Sequence, residues 1–326
     1  AAFLADQQDW HLTIQRALQT TAQAAFHIHY DEIGDLDVLN GLAAFLGVPG
    51  RLSAVSQTVK KQNPEPVTER VTNPEAMAEA LAALDLFDLA RTPNFEPRRG
   101  PAVPSWVAAT GAGLLYLPVQ GGPVASVTAW LGQTARPGAA AGTLHGFNRQ
   151  GLRDWQRGHA GTRAFTVLRH PLARVHAAFR DRILSGAAGE IAGALRRAWK
   201  LDLPRPDRAG TLSDADYRAL FLGFLRFLKG NLAGQTSLRI DASWASQAAV
   251  LDGFAQVLRP DHILREERLA PALAFLAAEA GATAPAFTPE PPDPRLAAIA
   301  DAEVQAAVRD ACAREYAAFG FGDWPG

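Results

Sequence analysis

The chain reads as an α/β protein, a largely parallel sheet flanked by helices, preceded by a largely helical amino-terminal segment. Three observations predict this. Two short apolar runs, Leu114-Leu115-Tyr116-Leu117-Pro118-Val119 and Ala164-Phe165-Thr166-Val167-Leu168, each lead into a helical stretch, the first at about Val124 to Gly132 and the second from Pro171 to about Leu184. Strands that alternate with helices pack as parallel units, because each connection must return across a face of the sheet. A third run, His262-Ile263-Leu264, interrupts a helical region late in the chain.

Taken in order, apolar residues recur at helical spacing from Leu4 to about Gln23, and Phe26-His27-Ile28-His29-Tyr30 has the look of a strand. After a turn at Gly34-Asp35, the residues Leu36, Leu39, Leu42, Ala43 and Leu46 mark an amphipathic helix that Gly47 and Pro49 stop. The polar, proline-broken run Lys60-Lys61-Gln62-Asn63-Pro64-Glu65-Pro66 predicts an extended connection, with a short helix at about Pro74 to Leu84. Pro93, Pro97, Pro101 and Pro104 surround Arg98-Arg99-Gly100, which is linker composition. Past the second strand, helices are expected at Asp214 to Leu232, Ala245 to Val257, Leu269 to Gly281 and Leu296 to Phe319.

Ile28 to Gly47 and Ile263 to Gly281 share an order of strand, acidic pair, helix and glycine stop. Either strand-to-helix units simply look alike, or the chain carries the tail of one module and a fuller second copy. On the second reading the divisions are 1–92, a linker at 93–104, and 105–326. The opening Ala1-Ala2-Phe3 suggests a truncated or processed start.

A length of 326 residues is more than one average domain and less than two full ones. Hydrophobic residues at 48% and charged residues at 20% allow a proper core. Thirty-two basic residues against 33 acidic ones leave a net charge of −1, so the broad electrostatic drive toward nucleic acid or an anionic membrane is missing. Any anion must be held locally. The single Cys312 excludes an intramolecular disulfide and a cysteine-based zinc site. It reads as a small buried residue, with a nucleophile as the alternative. A cytoplasmic protein without a metal is the expectation, and no signal-peptide pattern opens the chain.

Two places carry candidate chemistry. Pro118-Val119-Gln120-Gly121-Gly122-Pro123 joins a strand to a helix, the arrangement that aims backbone N–H groups and a helix amino terminus at a phosphate; a plain turn is the alternative. Arg169 leaves the second strand just before Pro171 opens a helix, which sets a guanidinium at the carboxyl edge of the sheet, where ligands of open α/β folds bind. Its alternative is a structural arginine paired with an acid such as Glu267.

Phe165 to Phe179 resembles the 3′-phosphate element of sulfotransferases that use 3′-phosphoadenylyl sulfate (PAPS), and Leu115 to Leu131 resembles their 5′-phosphosulfate loop. Trp244-Ala245-Ser246-Gln247, Ile263 to Leu269 and Tyr316 to Phe321 follow in the order found in bacterial and carbohydrate-type members. Residues 30–64 look like the end of another module, of the nodulation-protein type. The resemblance implies a P-loop-type sheet and transfer of a sulfuryl group from PAPS, the co-substrate, to a hydroxyl of a carbohydrate-type acceptor. It further implies that Pro118, Gln120, Gly121, Gly122, Arg169 and Arg174 bind the donor. His145 is the base by this resemblance, imidazole being suited to moving protons near neutral pH; a histidine satisfied by a backbone carbonyl is the alternative. The chain departs from the family at Val119, where a lysine is usual, at Pro123, which lacks an N–H, and at Ala177, where a serine is usual. Those losses point to the alternative function, a catalytically inactive module with a nucleotide-binding, glycan-binding or structural role.

Overall fold

The computed structural model describes residues 10, 13, 14, 17, 18, 25–28, 32–56, 65, 67–82, 106–159, 161–236, 238, 240–255 and 257–325. Most of the expected connection at 60–66 and the whole linker at 93–104 lie outside them.

Within the expected first helix, residues 10, 13, 14, 17 and 18 are helical. The strand expected at 26–30 is corrected where it can be seen, since residues 25–28 are irregular. Among the described residues no strand pairs with this run; the His27 N–H donates to Gly234 O at 3.1 Å and Phe26 packs on Phe45. Helix α1 spans Leu36–Phe45 and begins where Asp35 accepts hydrogen bonds from the N–H groups of Asp37 and Val38. Gly47, with φ of 73°, lies just beyond its end. Two short helices follow, α2 at Val67–Arg70 and α3 at Pro74–Ala82. The amino-terminal segment also reaches the rest of the protein through Glu32, which accepts from Gln235 Nε2 at 2.7 Å.

The sheet has five strands, β1 (Val107–Ala109), β2 (Leu114–Tyr116), β3 (Thr143–Leu144), β4 (Arg163–Leu168) and β5 (His262–Arg265). Their spatial order is β3-β1-β2-β4-β5. β2, β4 and β5 run parallel, whereas β1 is antiparallel to both β2 and β3, so the sheet is mixed rather than largely parallel. β1 turns back into β2 through residues 110–113, too few for the crossover a parallel neighbour needs.

Strand alternation divides the core. Leu114, Tyr116, Phe165 and Val167 face one side, packed under α4 (Val124–Leu131) and a later helix that carries Leu269, Leu273 and Leu276. Leu115, Ala164 and Leu168 face the other, under α6 (Pro171–Ala178), which follows α5 (Arg149–Gly158) and continues as one π-helical turn through Leu184. After α7 (Gly189–Ala198), the long helix α8 (Asp214–Leu232) buries Phe221, Phe224, Leu225, Phe227 and Leu228 against that second face. Ser213 starts α8 by accepting from the Asp216 N–H at 3.1 Å. Then come α9 (Gln247–Ala255) and α10 (Leu269–Glu279).

The single helix expected from Leu296 to Phe319 is corrected to three, α11 (Pro294–Ile299), α12 (Ala302–Ala311) and α13 (Ala313–Phe319). Asp301 adopts extended backbone and caps Val304, which starts a new helix where apolar spacing alone would run on. Cys312 lies at the next break and is buried; that burial pushes its thiol well above the ordinary range. No helix among the described residues is long and apolar enough to cross a membrane.

Candidate functional site

Because β2, β4 and β5 are parallel, the segments that follow them leave the same edge of the sheet. These are the loop 117–123, the pair Arg169-His170, and the 3₁₀ turn Glu266–Arg268. The register pairs Leu168 with Arg265, so one step further on Arg169 comes beside Glu266. Arg169 Nε and Nη2 donate to the two Glu266 oxygens at 2.7 Å each, Nη2 also reaches Glu290 at 3.0 Å, and Nη1 donates to Gly121 O at 3.1 Å. Burial disfavours the Arg169 charge, and the two carboxylates outweigh it, holding the guanidinium above its ordinary pKa.

The loop is fixed from beneath. Gly121 has φ of 78°, and a Cβ there would lie 3.1 Å from both Arg174 Cγ and Ser243 O. Arg174 is 1% exposed and donates to the carbonyl oxygens of Gln120 at 2.8 Å, Ala245 at 2.7 Å and Ala242 at 3.2 Å. Its burial lowers its pKa, and Glu315, 3.7 Å away, partly opposes this. Gln247 joins the two arginines: it accepts from the Arg169 N–H, donates to Arg169 O, and donates to Glu315 at 2.8 Å.

Several loop groups turn inward. The Gly122 N–H donates to Val119 O at 3.1 Å and the Val124 N–H to Gly122 O at 2.8 Å. Pro118 and Pro123 are buried and Gln120 is exposed. Val119 is fully buried in the core, so the side chain at that position points away from the edge.

His145 and the other basic side chains near this edge are spread more widely. His145 follows β3 on the same edge and is exposed, with Nε2 3.1 Å from Thr143 Oγ1. Strands β1 and β2 separate β3 from β4, which puts about 14 Å of strand spacing between them. His170 bonds Gly322 O through Nε2 and accepts the Leu172 N–H at Nδ1, a neutral tautomer that ties the sheet edge to the carboxyl-terminal tail. His176 is buried between Tyr217 and Asp293, and Arg180 pairs with Asp181 and Asp293, so neither meets Arg169.

Glu266, Glu290, Glu315 and Ser126 belong to this edge and escaped the sequence reading. Only Glu266 had a usable signal, since it follows β5 as Arg169 follows β4. Neither a protein-family model, nor a curated protein, nor a solved structure matches this chain.

The residues as arranged do not suit the phosphates of a PAPS-type donor. The phosphates of such a donor need an unneutralised cation as well as N–H groups. Here Arg169 carries two carboxylates, Val119 is apolar and inward, and Gly122 spends its N–H within the loop.

Proposed function

We propose that residues 106–325 form a P-loop-type, sulfotransferase-like module that does not itself transfer sulfuryl groups and serves a binding or supporting role. The observation that carries this reading is the side-on pairing of Arg169 with Glu266. A guanidinium already matched by a carboxylate has little left for a 3′-phosphate. The inward Val119 supports the same conclusion, because stabilising the leaving oxygen would need a cation in that neighbourhood.

Transfer from PAPS to a carbohydrate hydroxyl remains the second reading, favoured by the exposed imidazole of His145 on the loop-bearing edge. On that reading His145 is the base, Arg169 and Arg174 serve the 3′-phosphate end, and Gln120, Gly121 and Gly122 meet the phosphosulfate.

Incubation with labelled PAPS and a panel of glycans separates the two. No labelled product above the protein-free background is the expected result. Product formation that His145→Ala abolishes would overturn the silent reading. Calorimetric titration with 3′-phosphoadenosine 5′-phosphate then shows whether nucleotide binding survives without catalysis.

A further inference from the structure

We propose that residues 284–293 form a self-inhibiting strap, in which the Glu290 carboxylate occupies the position an oxyanion would take between Arg169 and the amino end of α4. The inference goes beyond the binding or supporting role proposed above: it makes this sheet edge an anion site that the chain's own carboxylate fills.

Glu290 bridges the two halves of the site. Oε2 accepts from Arg169 Nη2 at 3.0 Å, and Oε1 lies 3.2 Å from the Ser126 hydroxyl in the first turn of α4. No side chain caps that helix, and the N–H groups of Ala125 and Ser126 have no partner among the described residues. A carboxylate there meets the favourable end of the helix dipole, as a phosphate or sulfate would.

A second observation points independently to a guest. The Tyr116 hydroxyl is fully buried and has no hydrogen-bond partner among the described residues. Strand alternation sets Tyr116 on the face that also carries Arg169 and Glu266, and the hydroxyl feels the charges of Glu266, Arg169 and Glu290. Buried hydroxyls almost always find a partner, so an orphan beside a charge cluster marks a place for one more polar atom.

The strap is built to be displaced. It contains Pro285, Pro289, Pro291 and Pro292, which have no N–H to donate to a sheet. Its ends are anchored, by Trp130 Nε1 donating to Pro285 O at 3.2 Å and by Asp293 capping α11 and pairing with Arg180. Between the anchors Phe287 packs on the core face, and the 38% exposed Glu290 side chain is held by Arg169 and by a Ser126 hydroxyl that also lies 3.1 Å from Pro123 O. Arg169 has five N–H groups, of which four are engaged among the described residues. Release of Glu290 would leave one on Nη1 and one on Nη2 for an oxyanion.

The test is calorimetric titration of the full chain, as wild type, Glu290→Gln and Glu290→Ala, with inorganic pyrophosphate and separately with 3′-phosphoadenosine 5′-phosphate. Removing an internal competitor that holds the site most of the time is expected to tighten binding about tenfold or more. Adding Arg169→Ala to Glu290→Ala should abolish the gain. Circular dichroism and melting curves confirm that each variant is folded, and the isosteric glutamine covers the case in which alanine disturbs the strap. A gain for either probe supports the strap. A gain for pyrophosphate alone supports it while removing the nucleotide reading. No gain for either probe in folded variants overturns it.

Discussion

Arg169 lies side-on against Glu266, each of two guanidinium nitrogens donating to one carboxylate oxygen at 2.7 Å. The pair is only partly shielded, with side chains 15% and 26% exposed, so its value falls below that of a fully buried bridge. Glu266→Ala removes one partner and leaves the other desolvated. A loss of about 2 kcal/mol in urea unfolding is expected. An unchanged midpoint would mean that the pair contributes nothing to stability.

Restoring a lysine at position 119 should fail as a repair. Val119 is fully buried in the core cluster that also holds Leu117 and Leu172, so Val119→Lys sends an ammonium into the core instead of toward the loop. Destabilisation of about 3 kcal/mol or more follows, because an unpaired charge must be desolvated or neutralised. Thermal melting checks this. A lysine variant as stable as the wild type, with newly acquired nucleotide binding, would show that the side chain at 119 can face the edge.

Gly121→Ala should loosen the loop at its tightest point. The residue has φ of 78°, and its missing Cβ would meet Arg174 Cγ and Ser243 O at 3.1 Å. Left-handed backbone strain and the close approach together are worth about 1–3 kcal/mol. Chemical denaturation reads the cost, and a variant within experimental error of the wild type would mean that the loop adjusts freely.

His176 makes the protein acid-sensitive. Burial lowers its pKa from 6.5 to about 4, with Asp293 the smaller, opposing influence. Between those values the unfolded chain binds a proton that the folded chain refuses, so the contribution is complete above pH 6.5 and is lost as pH falls toward 4. In His176→Gln the drop in unfolding free energy between neutral pH and pH ~4.5 should shrink by about 2 kcal/mol. An identical pH profile for the variant would assign the acid sensitivity to other groups.

Several helices and the apolar runs that hold β2, β4 and β5 were legible from the residues, whereas the caps at Asn148 and Asp301 were not read. α8 runs from Asp214 to Leu232 as its spacing predicts, and the β4-to-α6 junction falls at the expected proline. β1 and β3 were not legible. They are three and two residues long, and β1 holds two alanines, so pairing rather than propensity makes them strands. The site followed the same division. Gly121 and Arg169 sit at strand ends that a sequence pattern can locate. An acidic partner for Arg169 was foreseen at Glu267, one residue from the truth, because the β4–β5 register that selects Glu266 is a tertiary fact. Glu290 is 121 residues from Arg169, in a proline-rich stretch without periodicity, and only the folded chain brings them together.

Arg174 gives this edge an uneven stiffness. A single side chain clamps carbonyls at 120, 242 and 245, with Glu315 behind it, so the loop beneath a guest and the last helix of the chain are fastened to one rivet. Moving that floor would strand a buried cation, whereas shifting the roof at its half-exposed glutamate leaves Phe287 and Pro285 on their own anchors. Traffic at this edge should therefore enter from above, and the timescale of any exchange should be set by the proline-rich cover.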